Sequence, residues 1–142
     1  MNTYILPIHP EYAAAIYSGR KKYEIRKRIP NLTEGDRIYL YETTPVRRVT
    51  GYFEIDYIFW GTPQWLWEQY RKKICIDYLD YCNYVGSKQR VYYVHCRKPK
   101  RLHEPLPLSL FGLTYTPQSW VRLQSSLDKD IDKVLDYLFS RP

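Results

Sequence analysis

The β-forming segments of this chain are short, and most of them follow one another with only turns between them. Strand patterns cover residues 4–8, 21–28, 37–41 and 49–58, and a dense run of β-formers covers residues 90–96. Most of these segments alternate apolar and polar residues with a period of two, which puts one face of each strand against a core. A parallel doubly wound fold needs a helix between successive strands, so this order excludes it.

Prolines and small polar residues mark the predicted helix starts. Pro10 suits the first position of a helix that Gly19 ends. Thr62 and Pro63 predict the N-cap and the first turn of a second helix, which runs to about residue 74. Further helical segments are predicted over residues 77–84, at residues 116–117 and from Ser126 onward.

The resulting order is β-α-β-β-β-α-α-β followed by a helical tail. A small, mostly antiparallel β-barrel decorated by helices fits this order, within the α+β class. The 142 residues match the size of a single domain. We expect residues 1–123 to form that domain and residues 124–142 to form a C-terminal helix packed on it.

Charge and aromatic content bear on the partners of the chain. Its 22 Lys and Arg residues exceed its 15 Asp and Glu residues, which gives a net charge of +7, and 16 residues are Tyr. Basic surfaces attract polyanions, and exposed bases stack on aromatic side chains. The composition therefore favours RNA, single-stranded or structured, as a partner. It is equally compatible with a basic protein whose tyrosines fill the core and the sheet.

Membrane spans, metal centres and cofactors are not expected. The mean hydropathy is −0.56, no apolar run approaches 18 residues, and the N-terminal residues lack the pattern of a secretory signal. Cys75, Cys82 and Cys96 form no CxxC pair, so they are interpreted as thiols in a reducing compartment rather than zinc ligands. The sequence thus predicts a cytoplasmic protein with no cofactor and no metal.

One octapeptide and four further segments resemble a known family. Residues 19–26, which read GRKKYEIR, resemble the G-x-K-x-x-E-x-R signature of ASCH domains, a family within the PUA-like superfamily. Residues 5–19 are similar to the opening of prokaryotic members, and residues 41–54 are similar to their second and third strands. Residues 105–108 and 116–120 resemble the ending of a subgroup labelled as transcriptional regulators. The resemblance ends at about residue 123.

The resemblance implies a β-barrel with a cleft lined by the signature residues and a role in RNA binding coupled to translation or transcription control. Ribonuclease activity is attributed to one branch, and another branch hydrolyses N4-acetylcytidine nucleosides with a Lys, a Thr and a Glu. Lys21 matches that Lys, Glu24 stands where the Thr nucleophile is expected, and Glu68 is the candidate for the helical Glu. An exposed helix residue is the simpler interpretation of Glu68. A carboxylate does not replace an activated hydroxyl, so we expect no amide hydrolysis.

The signature strand carries the candidate site. Alternation places Lys22, Glu24, Arg26 and Arg28 on one face of the strand. Arg26 offers a planar fork of donors to a phosphate or a base edge, and Glu24 either orients that fork or accepts from an exocyclic amine. Lys21 supplies a point charge or, if desolvated, a general base. A Glu24–Arg26 salt bridge that only closes the fold explains this pair equally well, and the resemblance favours function.

The sequence therefore predicts a cleft that binds RNA or a modified nucleotide. The alternative is an enzyme acting on nucleic acid in the same cleft, with Lys21, Glu24 and Glu68 as catalytic candidates. A second alternative is a protein-interaction module that uses Trp65, Trp67 and the C-terminal helix, because two tryptophans two residues apart cannot both face one core. The predicted nucleic-acid-binding residues are Lys21, Lys22, Glu24, Arg26, Arg28, Arg47, Arg48 and Tyr52.

Overall fold

Strands and short helices alternate in the computed structural model, which describes residues 1–124. The strands are β1 (Thr3–Ile8), β2 (Tyr23–Arg26), β3 (Arg37–Glu42), β4 (Arg48–Gly61), β5 (Val91–Leu106) and β6 (Val121–Arg122). The α-helices are α1 (Pro10–Tyr17), α2 (Pro63–Tyr70) and α3 (Tyr78–Val85), and 3₁₀ helices cover Arg71–Lys73 and Leu108–Phe111. The predicted C-terminal helix and its packing lie outside the described residues.

All six strands join one sheet in the order β2-β5-β4-β3-β1-β6. β1 and β3 are parallel, and the other neighbouring pairs are antiparallel. The predicted α+β fold with a mostly antiparallel sheet is thus confirmed. The predicted barrel is present as a half-barrel rather than a full one, because β2 and β6 remain the edges of the sheet within residues 1–124. β2 has only four residues and pairs with β5 alone, so its other edge stays open.

The predicted strands are present, and the last of them is much longer than predicted. Beyond the predicted residues 90–96, β5 continues to Leu106 because the chain pairs with β4, with Gly51 opposite Arg101 and Val49 opposite Leu106. The register shifts along this pair, and Lys98 has a φ of 49°. β5 therefore pairs with β2 near its start and with β4 along most of its length.

The helix starts predicted from capping residues are confirmed. The Thr62 hydroxyl accepts a hydrogen bond from the Trp65 N–H at 3.3 Å, and the Asp77 carboxylate caps α3 in the same way. Gly19 follows α1 with a φ of 82°, a conformation that glycine adopts readily. α2 ends at Tyr70, four residues earlier than predicted, where the chain tightens into the 3₁₀ helix.

The helical turn predicted at residues 116–117 is wrong. That segment is irregular, and the chain forms a 3₁₀ helix earlier, at Leu108–Phe111, where Phe111 is buried. Val121–Arg122 then pairs with β1 as an unpredicted edge strand. Burial of Phe111 against Tyr39 and pairing with β1 depend on distant parts of the chain, which local turn residues do not report.

The two faces of the sheet carry separate cores. α1 covers a core that includes Leu6, Leu40 and Phe53, whereas α2 and α3 cover the opposite face around Tyr23 and Tyr93. A third cluster, around Tyr39, Tyr41 and Phe111, lies under the Leu108–Phe111 turn. Several tyrosines are therefore core and sheet residues, as one of the two interpretations of the composition requires.

Gly51 permits the close approach of α1 and β5 to β4. A Cβ at this position would lie 2.3 Å from the Lys100 carbonyl oxygen and 2.6 Å from the ring of Tyr17. Because backbone atoms of β5 cannot move aside as a side chain can, we expect Gly51→Ala to lower the free energy of unfolding by about 1–3 kcal/mol. Urea denaturation measures the loss. Gly61→Ala is the control, since its Cβ would meet only side-chain atoms, at 3.2 Å or more; equal losses in the two variants would contradict the prediction.

Candidate functional site

A cleft of about 570 Å³ opens where the half-barrel fails to close. β2 forms one wall, the end of β1 and the start of α1 form the other, and α3 lies across one end. The cleft is thus a direct consequence of the unpaired edge of β2. Its charged and strongly polar lining residues are His9, Glu11, Glu24, Arg26, Asp80 and Gln118.

Arg26 spans the open edge. Its Nη2 donates a hydrogen bond to the Pro7 carbonyl oxygen of β1 at 2.8 Å and lies 3.5 Å from Glu24 Oε2. Its Nε is buried and has no hydrogen-bond partner among residues 1–124. A buried donor without a partner is destabilising, and an acceptor supplied by a ligand would relieve that penalty.

Glu24 is buried and held from two sides. Its Oε1 accepts a hydrogen bond from the Ile25 N–H at 2.9 Å and lies 4.0 Å from the Nζ of Lys21, while Oε2 faces Arg26. The Glu24–Arg26 contact that the sequence suggested is therefore present. This contact lies within β2, and together with the hydrogen bond from Arg26 to Pro7 of β1 it fixes the direction of a candidate binding group.

Lys21 lies behind the wall of the cleft. It is 1% exposed, and its Nζ donates to the Ile74 carbonyl oxygen at 2.5 Å. Burial lowers the pKa of Lys21 below its ordinary value, and the nearby Glu24 carboxylate opposes that shift. Lys21 does not line the cleft, so its place suits the positioning of Glu24 rather than contact with a phosphate.

The remaining predicted residues of the signature lie at the two ends of β2. Lys22 and Arg28 are exposed and do not line the cleft. The Arg28 carbonyl oxygen accepts a hydrogen bond from the indole Nε1 of Trp120 at 3.1 Å, which forms a second tie across the open side of the sheet. The structure thus brings only Glu24 and Arg26 of the signature to the surface of the cleft.

Arg47 lines a second, smaller cavity of about 350 Å³ with Tyr41, Thr44 and Thr116. Thr43 lines both cavities, so the second adjoins the first. Arg48 is exposed beside Arg47. Tyr52, by contrast, packs against Tyr39 and lies 4.4 Å below the guanidinium of Arg37, outside both cavities.

The residues of the two alternative functions are dispersed. Glu68 is exposed on α2 and accepts a hydrogen bond from Gln64 at 3.3 Å, so Lys21, Glu24 and Glu68 do not converge on the cleft. Trp65 is exposed, whereas Trp67 is half-buried against the rings of Tyr78 and Tyr81.

Sequence reasoning missed the acidic lip of the cleft, which comes from the first turns of two helices. Glu11 opens α1, and Asp77 and Asp80 open α3. Asp77 raises the pKa of Asp80 by charge repulsion, and burial and then Glu11 raise the pKa of Tyr12. These carboxylates were visible as helix-start signals, but the convergence of two helix starts on one cleft is a tertiary feature.

Metal-ligating side chains do not cluster in the described part of the chain: no group of three or more His, Cys, Asp or Glu residues is placed to hold an ion. The three cysteines are free, with Cys96 buried and the others half-buried. None of the helices within residues 1–124 is long and apolar enough to cross a membrane.

Comparison with known sequences gives a match to a family model and to curated relatives. The model of the ASCH domain matches residues 6–103. The "ASCH domain-containing ribonuclease" of Zymomonas mobilis is 33% identical over 86 residues, which cover 61% of this chain and 58% of the relative. The large ribosomal subunit protein uL22 of Ureaplasma parvum is 22% identical over 122 residues, covering 86% of this chain and 39% of the relative. The matches thus span less than two thirds of either relative.

Solved structures agree with the fold. The crystal structure of ASCH from Zymomonas mobilis has a TM-score of 0.85 at 25% identity, covering 93% of this chain and 94% of the other. The human THYN1 protein, solved in complex with DNA containing 5-methylcytosine, has a TM-score of 0.58 at 13% identity. The match covers 100% of this chain and 100% of the THYN1 chain. The second likeness is one of fold alone.

The burial of Lys21 predicts a pH dependence of stability. A lysine whose pKa is lowered by folding binds its proton more weakly in the folded state, so stability rises with pH from that lowered pKa up to the unfolded value of about 10.4. We expect Lys21→Met to remove this rise. Urea denaturation at a series of pH values measures it, with Lys22→Met, at the exposed neighbouring lysine, as the control. A Lys21→Met profile that parallels the control would show that Lys21 does not titrate abnormally.

Proposed function

The chain belongs to the ASCH domain family, and from this membership and the geometry of the cleft we propose that it binds RNA, or a modified nucleotide within RNA, around Glu24 and Arg26. The observation that carries the proposal is the guanidinium of Arg26. It is fixed at the cleft wall by Pro7 and Glu24, and its buried Nε lacks a partner in the described structure. The relatives support nucleic acid as the ligand class, since one is named a ribonuclease and THYN1 was solved with DNA.

The charges of the cleft favour a base rather than a phosphate as its occupant. Glu11 and Asp80 line one side of the cleft, with Asp77 beside Asp80, and this acidic lip repels phosphate groups. A base carries no such charge, and the Glu24 carboxylate accepts hydrogen bonds from the exocyclic amine of cytosine, adenine or guanine. Phosphates of the same strand then fall outside the cleft, with Arg47 beside Thr43 as one contact.

Cleavage of RNA is the second candidate function, and the 33% identity to a protein named a ribonuclease favours it. Metal-independent cleavage requires a base for the 2′-hydroxyl and an acid for the leaving 5′-oxygen. His9 and Glu11, which line the cleft, are groups of the required types. Excess 5′-labelled RNA in EDTA separates the candidates, because a binding protein leaves it intact and a ribonuclease turns it over. Regulation of transcription and a cytoplasmic location are further proposals that the family resemblance suggests.

RNA affinity is expected to fall steeply with salt. The net charge of +7 and the exposed Arg28, Arg47 and Arg48 imply release of counterions on binding. If Z phosphates are contacted, a plot of the logarithm of the association constant against the logarithm of the salt concentration has a slope of about −0.7Z on single strands. Fluorescence anisotropy with a labelled mixed-sequence RNA measures the slope; a value near zero would remove the basis for nucleic-acid binding.

Arg26→Ala is expected to weaken RNA binding by about 1–3 kcal/mol, because it removes an oriented guanidinium and leaves Glu24 facing the ligand. Lys72→Ala removes the same charge at an exposed site in the 3₁₀ helix Arg71–Lys73, which does not line the cleft, and is expected to lose up to about 1 kcal/mol. Arg101 is not a matched control, since it pairs with buried Glu42 at 3.7 Å. Both variants are titrated at one salt concentration.

Circular dichroism establishes that each variant is folded, and Arg26→Lys tests whether a point charge is enough. Equal losses in Arg26→Ala and Lys72→Ala would mean that binding is diffuse charge attraction. An unfolded Arg26→Ala would show that the tie to Pro7 serves the fold alone.

A further inference from the structure

We propose that a single-stranded nucleic acid leaves the cleft across a row formed by Arg26, Tyr92 and Trp60, and that the base next to the one in the cleft stacks at Trp60. This inference rests on the proposed function and assigns a second subsite to it. The three residues, called here the Trp60 row, lie on the strands β2, β5 and β4 in that order.

Strand register places the row on the same face as the cleft. Tyr92 lies directly opposite Arg26 on one side and opposite Trp60 on the other, and directly opposed residues project to the same face of a sheet. One step back along the strands, Val94 lies opposite both Glu24 and Ile58, and Val94 belongs to the core beneath α1. The row is therefore the next rung of the cleft face, and two strand spacings, about 10 Å, separate its ends.

Trp60 is built as a stacking platform rather than as a core residue. Its side chain is 56% exposed, although it lies in a strand. The guanidinium of Arg90 lies 3.8 Å from the centroid of its ring, so a planar cation covers one face of the indole. Bases stack on indole rings and on guanidinium planes alike. Tyr92 is half-buried and links this platform to Arg26.

Charge selects the nucleic acid as the occupant. The segments that flank the row, residues 26–33, 57–64 and 86–95, contain no Asp or Glu. The cleft thus has an acidic lip on the helix side and a basic lip on the strand side. Because a polyanion is attracted to positive charge, it leaves the cleft across the basic lip. The basic residues in these segments are Arg26, Lys27, Arg28, Lys88 and Arg90.

The test is the affinity of a fluorescein-labelled, random-sequence RNA hexamer for the full chain by anisotropy. Loss of one stacked base weakens binding about 5- to 150-fold, so we expect a loss of this size for Trp60→Ala and a loss below about threefold for Trp60→Phe, which keeps an aromatic face. Trp65→Ala is the matched control, because Trp65 is 48% exposed on α2 but lies outside the row. We expect its affinity to be unchanged. Arg90→Ala gives an independent measure, a salt slope about 0.7 smaller than that of the wild type.

The outcomes separate this inference from the function on which it rests. If the wild type fails to bind the hexamer, the proposed function is overturned. A second outcome is that the wild type binds, that Arg26→Ala weakens binding, and that Trp60→Ala has the same affinity as Trp65→Ala. In that case the cleft is a nucleic-acid site and the Trp60 row is not. The exposed indole would then be assigned to a protein contact. Circular dichroism of each variant excludes unfolding, and if Trp60→Ala does not fold, Trp60→Phe and Arg90→Ala decide.

Discussion

The arrangement of this molecule depends on a four-residue edge strand that has a hydrogen-bonded neighbour on one side only. β2 pairs with β5, and its other edge faces β1 across an opening too wide for a strand ladder. Two side chains span the gap: Arg26 reaches the Pro7 carbonyl oxygen and Trp120 reaches that of Arg28. The same geometry that prevents closure of a barrel therefore creates a cleft and supplies a fixed guanidinium in its wall.

Electrostatics then divide the surroundings of the cleft. The first turns of α1 and α3 bring Glu11, Asp77 and Asp80 to one side, where carboxylates also stabilise the helix starts. The strand side, at residues 26–33, 57–64 and 86–95, contains no Asp or Glu, and Arg90 covers one face of Trp60 there. Lys21 sits between the two as a buried amine whose proton is held less firmly than usual. A net charge of +7 would not have indicated that the cleft itself has an acidic lip.

Local patterns predicted the elements of this fold well, and they failed where distant contacts decide. Pro10, Thr62 and Pro63 gave the starts of α1 and α2, since capping depends on residues only a few positions away. The curl of the sheet and the 3₁₀ turn at Leu108–Phe111 depend on contacts far along the chain. The sequence therefore did not show that the barrel is only a half-barrel, and the turn predicted at residues 116–117 was wrong. Within the candidate site, the signature predicted Glu24 and Arg26. His9, Asp80 and Gln118 come from three other segments, and no local pattern joins them.

The ties that hold the open side of the sheet share one property: each ends on a main-chain carbonyl. Arg26 donates to Pro7 and Trp120 donates to Arg28, in each case to the backbone oxygen. Every residue type supplies that acceptor. The residues at the accepting positions can therefore be substituted during evolution without loss of the hydrogen bond. No compensating substitution at the donor position is needed. Distant relatives can keep this cleft while showing no correlated changes between its two walls, so covariation between positions would underestimate how strongly they are coupled.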